Sequence, residues 1–118
     1  MSYWWLYLYS FAMVVQSSPV AGREDEYNNW YENQHLPDIL RVPGFKSAQR
    51  FVLAQDDKCA VSKYMAIYEF ETDNLAETMA TLQARSGTED MVLSEAMDRQ
   101  SMSFALWMAV SEKLTAGD

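Results

Sequence analysis

The stretch from Tyr3 to Val15 is apolar at both parities, and that limits what the chain can become. Tyr3, Trp5, Tyr7, Tyr9, Phe11, Met13 and Val15 fall on one side of an extended backbone, with Trp4, Leu6, Leu8, Ala12 and Val14 on the other. Side chains alternate along a strand, so such a strand must be covered twice. The run is too short for a typical transmembrane helix and lacks a basic leader and a clear cleavage signal. Its Tyr, Trp, Phe and Val suit a pleated surface, and the strand is predicted over Tyr3 to Gln16, with Ser17-Ser18-Pro19 as a loop.

The rest of the chain reads as βαββαβ. A first helix starts near Gly22 and breaks or kinks near Leu36, because Pro37 has no amide hydrogen to donate. A short turn follows through Asp38 to Arg41, ended by Pro43-Gly44. Phe45 to Ala54 and Ser62 to Phe70 alternate as strands and form an antiparallel hairpin around Gln55 to Lys58. The second strand is predicted to carry Phe45, Ser47, Gln49, Phe51 and Leu53 on one face. Asp73 caps a second helix that stops at Ser86-Gly87, a short further helix is predicted around Met91-Val92-Leu93, and Gln100 to Val110 is the last strand. The class is α+β. Two helices cover only one face of a four-stranded sheet, and soluble monomers seldom expose larger apolar patches. A second sheet packed about a two-fold axis is the simple cover, so a homodimer is expected.

Composition sets outer limits. The chain has 118 residues, 49% hydrophobic and 22% charged, which fits one globular domain spanning 1–118. Its single Cys59 excludes an intramolecular disulfide and suits a reducing, cytoplasmic setting. A net charge of -8 argues against nucleic acid and anionic membranes as partners. There is no Cys/His cluster for zinc and no Gly-rich phosphate loop, so no metal and no nucleotide cofactor is expected.

The only histidine, His35, is the best candidate for chemistry. At helical spacing it shares a face with Tyr27, Trp30, Tyr31, Gln34 and Asp38, which turns it toward the protein. An imidazole titrates near neutrality and can give or take a proton, although a lone histidine at a helix end also serves as a packed or capping residue.

The sequence Glu26-Tyr27-Asn28-Asn29-Trp30-Tyr31-Glu32-Asn33-Gln34-His35-Leu36-Pro37-Asp38-Ile39-Leu40, followed by Val42-Pro43-Gly44-Phe45 and Ala48-Gln49-Arg50-Phe51, resembles the signature of EthD-like proteins of the dimeric α/β-barrel superfamily. The resemblance covers about a quarter of the chain well. It implies a ferredoxin-like βαββαβ unit whose sheet pairs with a second subunit. That superfamily includes isomerases, cyclases, monooxygenases and haem proteins, so the resemblance fixes the fold better than the reaction. In relatives such as methylmuconolactone isomerases, a histidine of the first helix acts in proton transfer, and the matching position is His35.

The expected site is a cleft between the first helix and the sheet. His35 and Tyr31 are the catalytic candidates, and Tyr27, Arg50, Tyr64, Tyr68 and Trp107 are candidates for holding substrate. Arg50, a cation in an apolar strand, would pair with Asp38, Glu69 or a substrate carboxylate, or form a surface salt bridge. The expected activity is cofactor-free acid/base chemistry on a hydrophobic aromatic or polyketide-like molecule, as a lyase or decarboxylase, isomerase or cyclase of a catabolic or secondary-metabolic pathway. The alternatives are a non-catalytic small-molecule-binding accessory protein and a haem-dependent or cofactor-free monooxygenase.

Overall fold

The computed structural model describes residues 9–60 and 62–117. The first part of the predicted opening strand, Tyr3 to Leu8, lies outside the described residues. Four antiparallel strands, β1 (Ser10–Pro19), β2 (Phe45–Val52), β3 (Tyr64–Glu71) and β4 (Met97–Met108), form one sheet in the order β2-β3-β1-β4. Helices α1 (Glu24–Trp30), α2 (Leu36–Leu40) and α3 (Leu75–Arg85) supply the βαββαβ arrangement, which is ferredoxin-like and α+β.

Cross-strand neighbours share a face, so the register sorts the side chains. Phe11, Met13 and Val15 of β1 stand beside Phe70, Tyr68 and Ala66 of β3 and beside Met108, Leu106 and Phe104 of β4. With Tyr27, Trp30, Tyr31 and Ile39 from the helical segment, several of these make the core. The opposite face carries Val14 between Ile67 and Ala105, Phe51 opposite Met65, and Ala12 opposite Trp107. Among the described residues no element covers that face, and Trp107 is 63% exposed.

Several boundaries differ from expectation for identifiable reasons. β1 runs through Ser17-Ser18 to Pro19 because Ser18 and Pro19 pair with Asp98 and Met97. α1 starts at Glu24, later than Gly22. Pro37 does not break the helix: α1 and α2 are joined by a π-helical turn, Tyr31–His35, in which the amide of Leu36 donates to the carbonyl of Tyr31. Proline removes a donor and crowds the carbonyl four residues back, and one extra residue in the turn relieves both. In β2 a register shift between Phe45 and Ser47 puts Phe45 with Ala48 and Arg50 on the helix side, and Ser47, Gln49 and Phe51 on the other. Asn74, not Asp73, caps α3, its side chain accepting from the amide of Glu77 at 3.0 Å. No helix forms around Met91 to Leu93; that segment is a loop, held to the helical segment by a 2.8 Å bond from the Trp30 indole to the Val92 carbonyl. β4 begins at Met97, three residues early.

Gly44 closes the connection into β2. Its φ is +96°, and a Cβ there would lie 2.5 Å from the Glu71 carbonyl oxygen, so glycine is the residue that fits.

Candidate functional site

A cavity of about 680 Å³ lies between the α1 to α2 segment, α3, the 86–96 loop and the helix-side face of the sheet. Trp30, Tyr31 and His35 form one wall, Met13 and Tyr68 the floor, and Met79 and Leu82 the α3 side. The wall is mostly apolar because each element turns its core-facing stripe inward, while the single helices leave part of β4 uncovered. Met102 and Phe104, about half exposed, mark the mouth.

His35 reaches this cavity because of the π turn, which adds a residue between Tyr31 and Leu36 and seats the imidazole on the Trp30 indole. The two rings are stacked at 4.5 Å, and Tyr31 meets His35 edge-on at 5.3 Å. Burial pushes the imidazole down to about 4, against the opposing pull of the Asp38 carboxylate, so the ring is neutral at physiological pH. Asp38 is itself buried and accepts hydrogen bonds from Gln34 at 2.8 Å and from Arg41.

Among the described residues, two buried polar atoms make no hydrogen bond, His35 Nδ1 and the Tyr68 hydroxyl, and both residues line the cavity. Burial drives the Tyr68 phenol far above its ordinary range, and Tyr31 is raised for the same reason, so both stay protonated. A neutral imidazole and an un-ionised phenol are a proton acceptor and a hydrogen-bond donor held close together, with His35 and Tyr68 ring centroids 6.5 Å apart.

The other expected site residues fall elsewhere. Arg50 is not paired with Asp38 or Glu69. Its guanidinium lies over the rings of Tyr31 at 4.6 Å, Tyr64 at 4.9 Å and Tyr27 at 5.5 Å, donates to Asn28 at 2.8 Å, and approaches Glu32 at 3.5 Å. The shifted register of β2 turns it under α1, away from the lining of the cavity. Tyr27 bonds Ser17, and burial pushes it up to about 12; Tyr64 bonds Glu24. Trp107 is a correction: it pairs with Ala12 on the open face and takes no part in the cavity. The α3 and loop residues that close the cavity, Met79, Leu82, Met91 and Leu93, were missed as site residues, since an apolar stripe on a helix reads as core and the loop has no periodicity.

Among the described residues no helix is long and apolar enough to cross a membrane. Comparison with curated proteins gave no match. Solved structures with similar folds include a proposed monooxygenase from Shewanella loihica PV-4, 14% identical over 88% of this chain and 97% of its own, at a TM-score of 0.61. The haem degrader MhuD of Mycobacterium tuberculosis, solved with two haems in its active site, is 14% identical over 87% of this chain and 98% of its own, at 0.60. An EthD-family protein of Bacillus halodurans C-125 is 12% identical over 90% and 99%, at 0.48. At such identities the likeness to the first two is one of fold, and the expected ferredoxin-like architecture is the one they share with this chain. The family model described as a domain of unknown function, DUF4286, matches residues 7–105, most of the chain, and the chain belongs to that family.

Proposed function

We propose that the chain is a small-molecule enzyme acting without a cofactor, a lyase or isomerase in type, on an apolar aromatic or polyketide-like substrate held in the cavity of His35 and Tyr68. The observation that carries this reading is that two residues lining this mostly apolar cavity, His35 and Tyr68, each carry a buried polar atom with no partner among the described residues. Each orphan polar group costs about 1–3 kcal/mol, a cost that a ligand's own donor or acceptor would offset. Neutral His35 would take a proton from carbon or from a phenol, and the Tyr68 hydroxyl would donate to the oxyanion that develops. Tyr31, edge-on to His35, holds the imidazole in place. Within this reading the protein is a homodimer joined through the open sheet face, where Val14, Phe51, Ile67 and Trp107 form an apolar surface.

The test is binding and turnover together. N-phenylnaphthylamine, an uncharged aromatic probe, should gain fluorescence at one probe per chain and lose it in a Met79→Trp variant that fills the cavity. A panel of hydroxylated aromatic and β-keto acids should then give proton exchange or decarboxylation that His35→Gln slows by about 10²-fold or more. No probe binding would contradict the reading, and probe binding without any turnover would leave a binding protein.

A haem ligand is a second reading, favoured because burial keeps His35 neutral, the state an iron ligand requires. His35 would hold the iron, and haem would supply oxygen chemistry when bound. A Soret band that saturates at one haem per chain and shifts in His35→Ala would move the assignment to haem.

A further inference from the structure

The cavity wall holds one charged side chain among the described residues, and it stands at the uncovered β4 side. Arg99 lines the cavity together with Met97 and Met102, is exposed, and forms no ion pair with any described residue. In a chain with a net charge of -8, an arginine that pairs with no described carboxylate beside a mostly apolar cavity is a departure from its surroundings.

Its position is built by an irregularity in β4. The ladder with β1 pairs Gln16 with Ser103 but Ser18 with Asp98, so two residues of β1 are faced by an advance of five in β4. The excess bulges out of the ladder between Asp98 and Ser103, and bulges re-aim side chains. This one is tied down by Ser101, whose hydroxyl donates to the Asp98 carbonyl at 2.6 Å and accepts from the Ser18 amide at 2.8 Å. Ser62 donates to the Ser101 carbonyl at 2.6 Å. The bulge thereby breaks the alternation of the strand, so that Arg99 and Met102, three apart, both border the same cavity. Asp98 alternates with Met97 and Arg99, and its carboxylate caps the amide of Gln100 instead of meeting the guanidinium.

The lining adds a second constraint. Met13, Met79, Met91, Met97 and Met102 all border the cavity, and unbranched, polarizable side chains adapt to flat apolar bodies without a fixed shape. We infer that the ligand is a hydrophobic anion: an aromatic or extended apolar body lodged among the methionines, with one carboxylate or equivalent anionic group paired to Arg99 at the mouth and its uncharged oxygen toward Tyr68 and His35. This rests on the proposed small-molecule function and names the charge and orientation of its substrate. A guanidinium offers a planar fork that matches a carboxylate in two hydrogen bonds, and at a half-open mouth it orients a ligand that apolar contacts alone would let rotate.

The test uses two probes of nearly the same body, anilinonaphthalene sulfonate and N-phenylnaphthylamine, which differ by one anionic group. Both are titrated into the full chain and into Arg99→Gln, Arg99→Lys, Lys46→Gln and Met79→Trp variants, with melting temperature confirming the fold of each. Arg99→Gln should weaken the sulfonate probe about 10-fold, the scale of a lost charge-assisted hydrogen bond, and leave the uncharged probe within about twofold. Arg99→Lys should recover part of the loss, and Lys46→Gln, which changes net charge equally away from the cavity, should have no effect. Equal behaviour of the two probes in Arg99→Gln, or an equal loss in Lys46→Gln, would overturn the inference while leaving the cavity as a binding site. Failure of both probes to bind, or binding undiminished in Met79→Trp, would instead overturn the reading on which it rests.

Discussion

The imidazole of His35 stacks on the indole of Trp30, with centroids 4.5 Å apart and the planes inclined by 21°. That contact, made possible by the π turn before Pro37, removes the ring from water while its Nδ1 finds no partner. The single histidine of the chain is therefore held neutral inside a cavity wall, and the consequences are measurable.

Stability should depend on pH through His35. The folded imidazole sits at about 4 against an ordinary 6.5, so the unfolded chain binds the proton first as pH falls. Stability tied to this group is complete above pH 6.5 and lost progressively down to about pH 4, by at most roughly 3 kcal/mol. Melting temperature measured across that window should fall in the parent and fall less steeply in His35→Gln. Equal slopes would contradict the buried neutral ring.

Tyr68→Phe should separate stability from activity. The lost hydroxyl is buried without a partner, so its removal should leave the melting temperature unchanged or raise it, by up to about 1 kcal/mol of stability. Turnover should drop by about 10²-fold or more if that hydroxyl stabilises an oxyanion. His35→Gln should lower turnover by roughly 10²- to 10⁴-fold, and the parent's kcat/KM should fall off near pH 4 rather than near 6.5.

Arg50→Lys should be costly although it keeps the charge. The guanidinium lies over three tyrosine rings and holds Asn28, contacts that a point-charge ammonium cannot reproduce. A loss of about 1–2 kcal/mol in chemical denaturation is expected, with probe binding in the cavity retained.

Trp107→Glu should report on the open sheet face. If that face joins two chains, a buried unpaired carboxylate there breaks the assembly, and light scattering should show a dimer in the parent and a monomer in the variant. A parent that is monomeric at micromolar concentration would rule the homodimer out.

Much of this architecture was readable from residues. Alternation in Tyr64 to Phe70 and Met102 to Met108 marked two strands and their faces, and the shared face of Tyr27, Trp30, Tyr31, His35 and Asp38 survives in the packing. What escaped depended on departures from period. The register shift after Phe45 brought Arg50 onto the face of Phe45, and the bulge after Asp98 placed Arg99 at the cavity, because an odd number of extra residues, one in β2 and three in β4, moves the side chains beyond it to the other face. Pro37 announced a disturbance in the helix, but whether it ends the helix or widens one turn is decided by tertiary packing of Leu36 and Ile39 against the core. Tyr68 stood among the candidates, yet its missing hydrogen bond is a fact of three dimensions.

The most direct test is the ring spectrum of the one histidine, recorded by NMR on protein labelled in its imidazole nitrogens. A neutral ring is expected at pH 6.5, one that begins to protonate only toward pH 4 and whose resonances shift on saturation with N-phenylnaphthylamine. A ring already half protonated at pH 6.5, or one indifferent to the bound probe, would contradict this expectation.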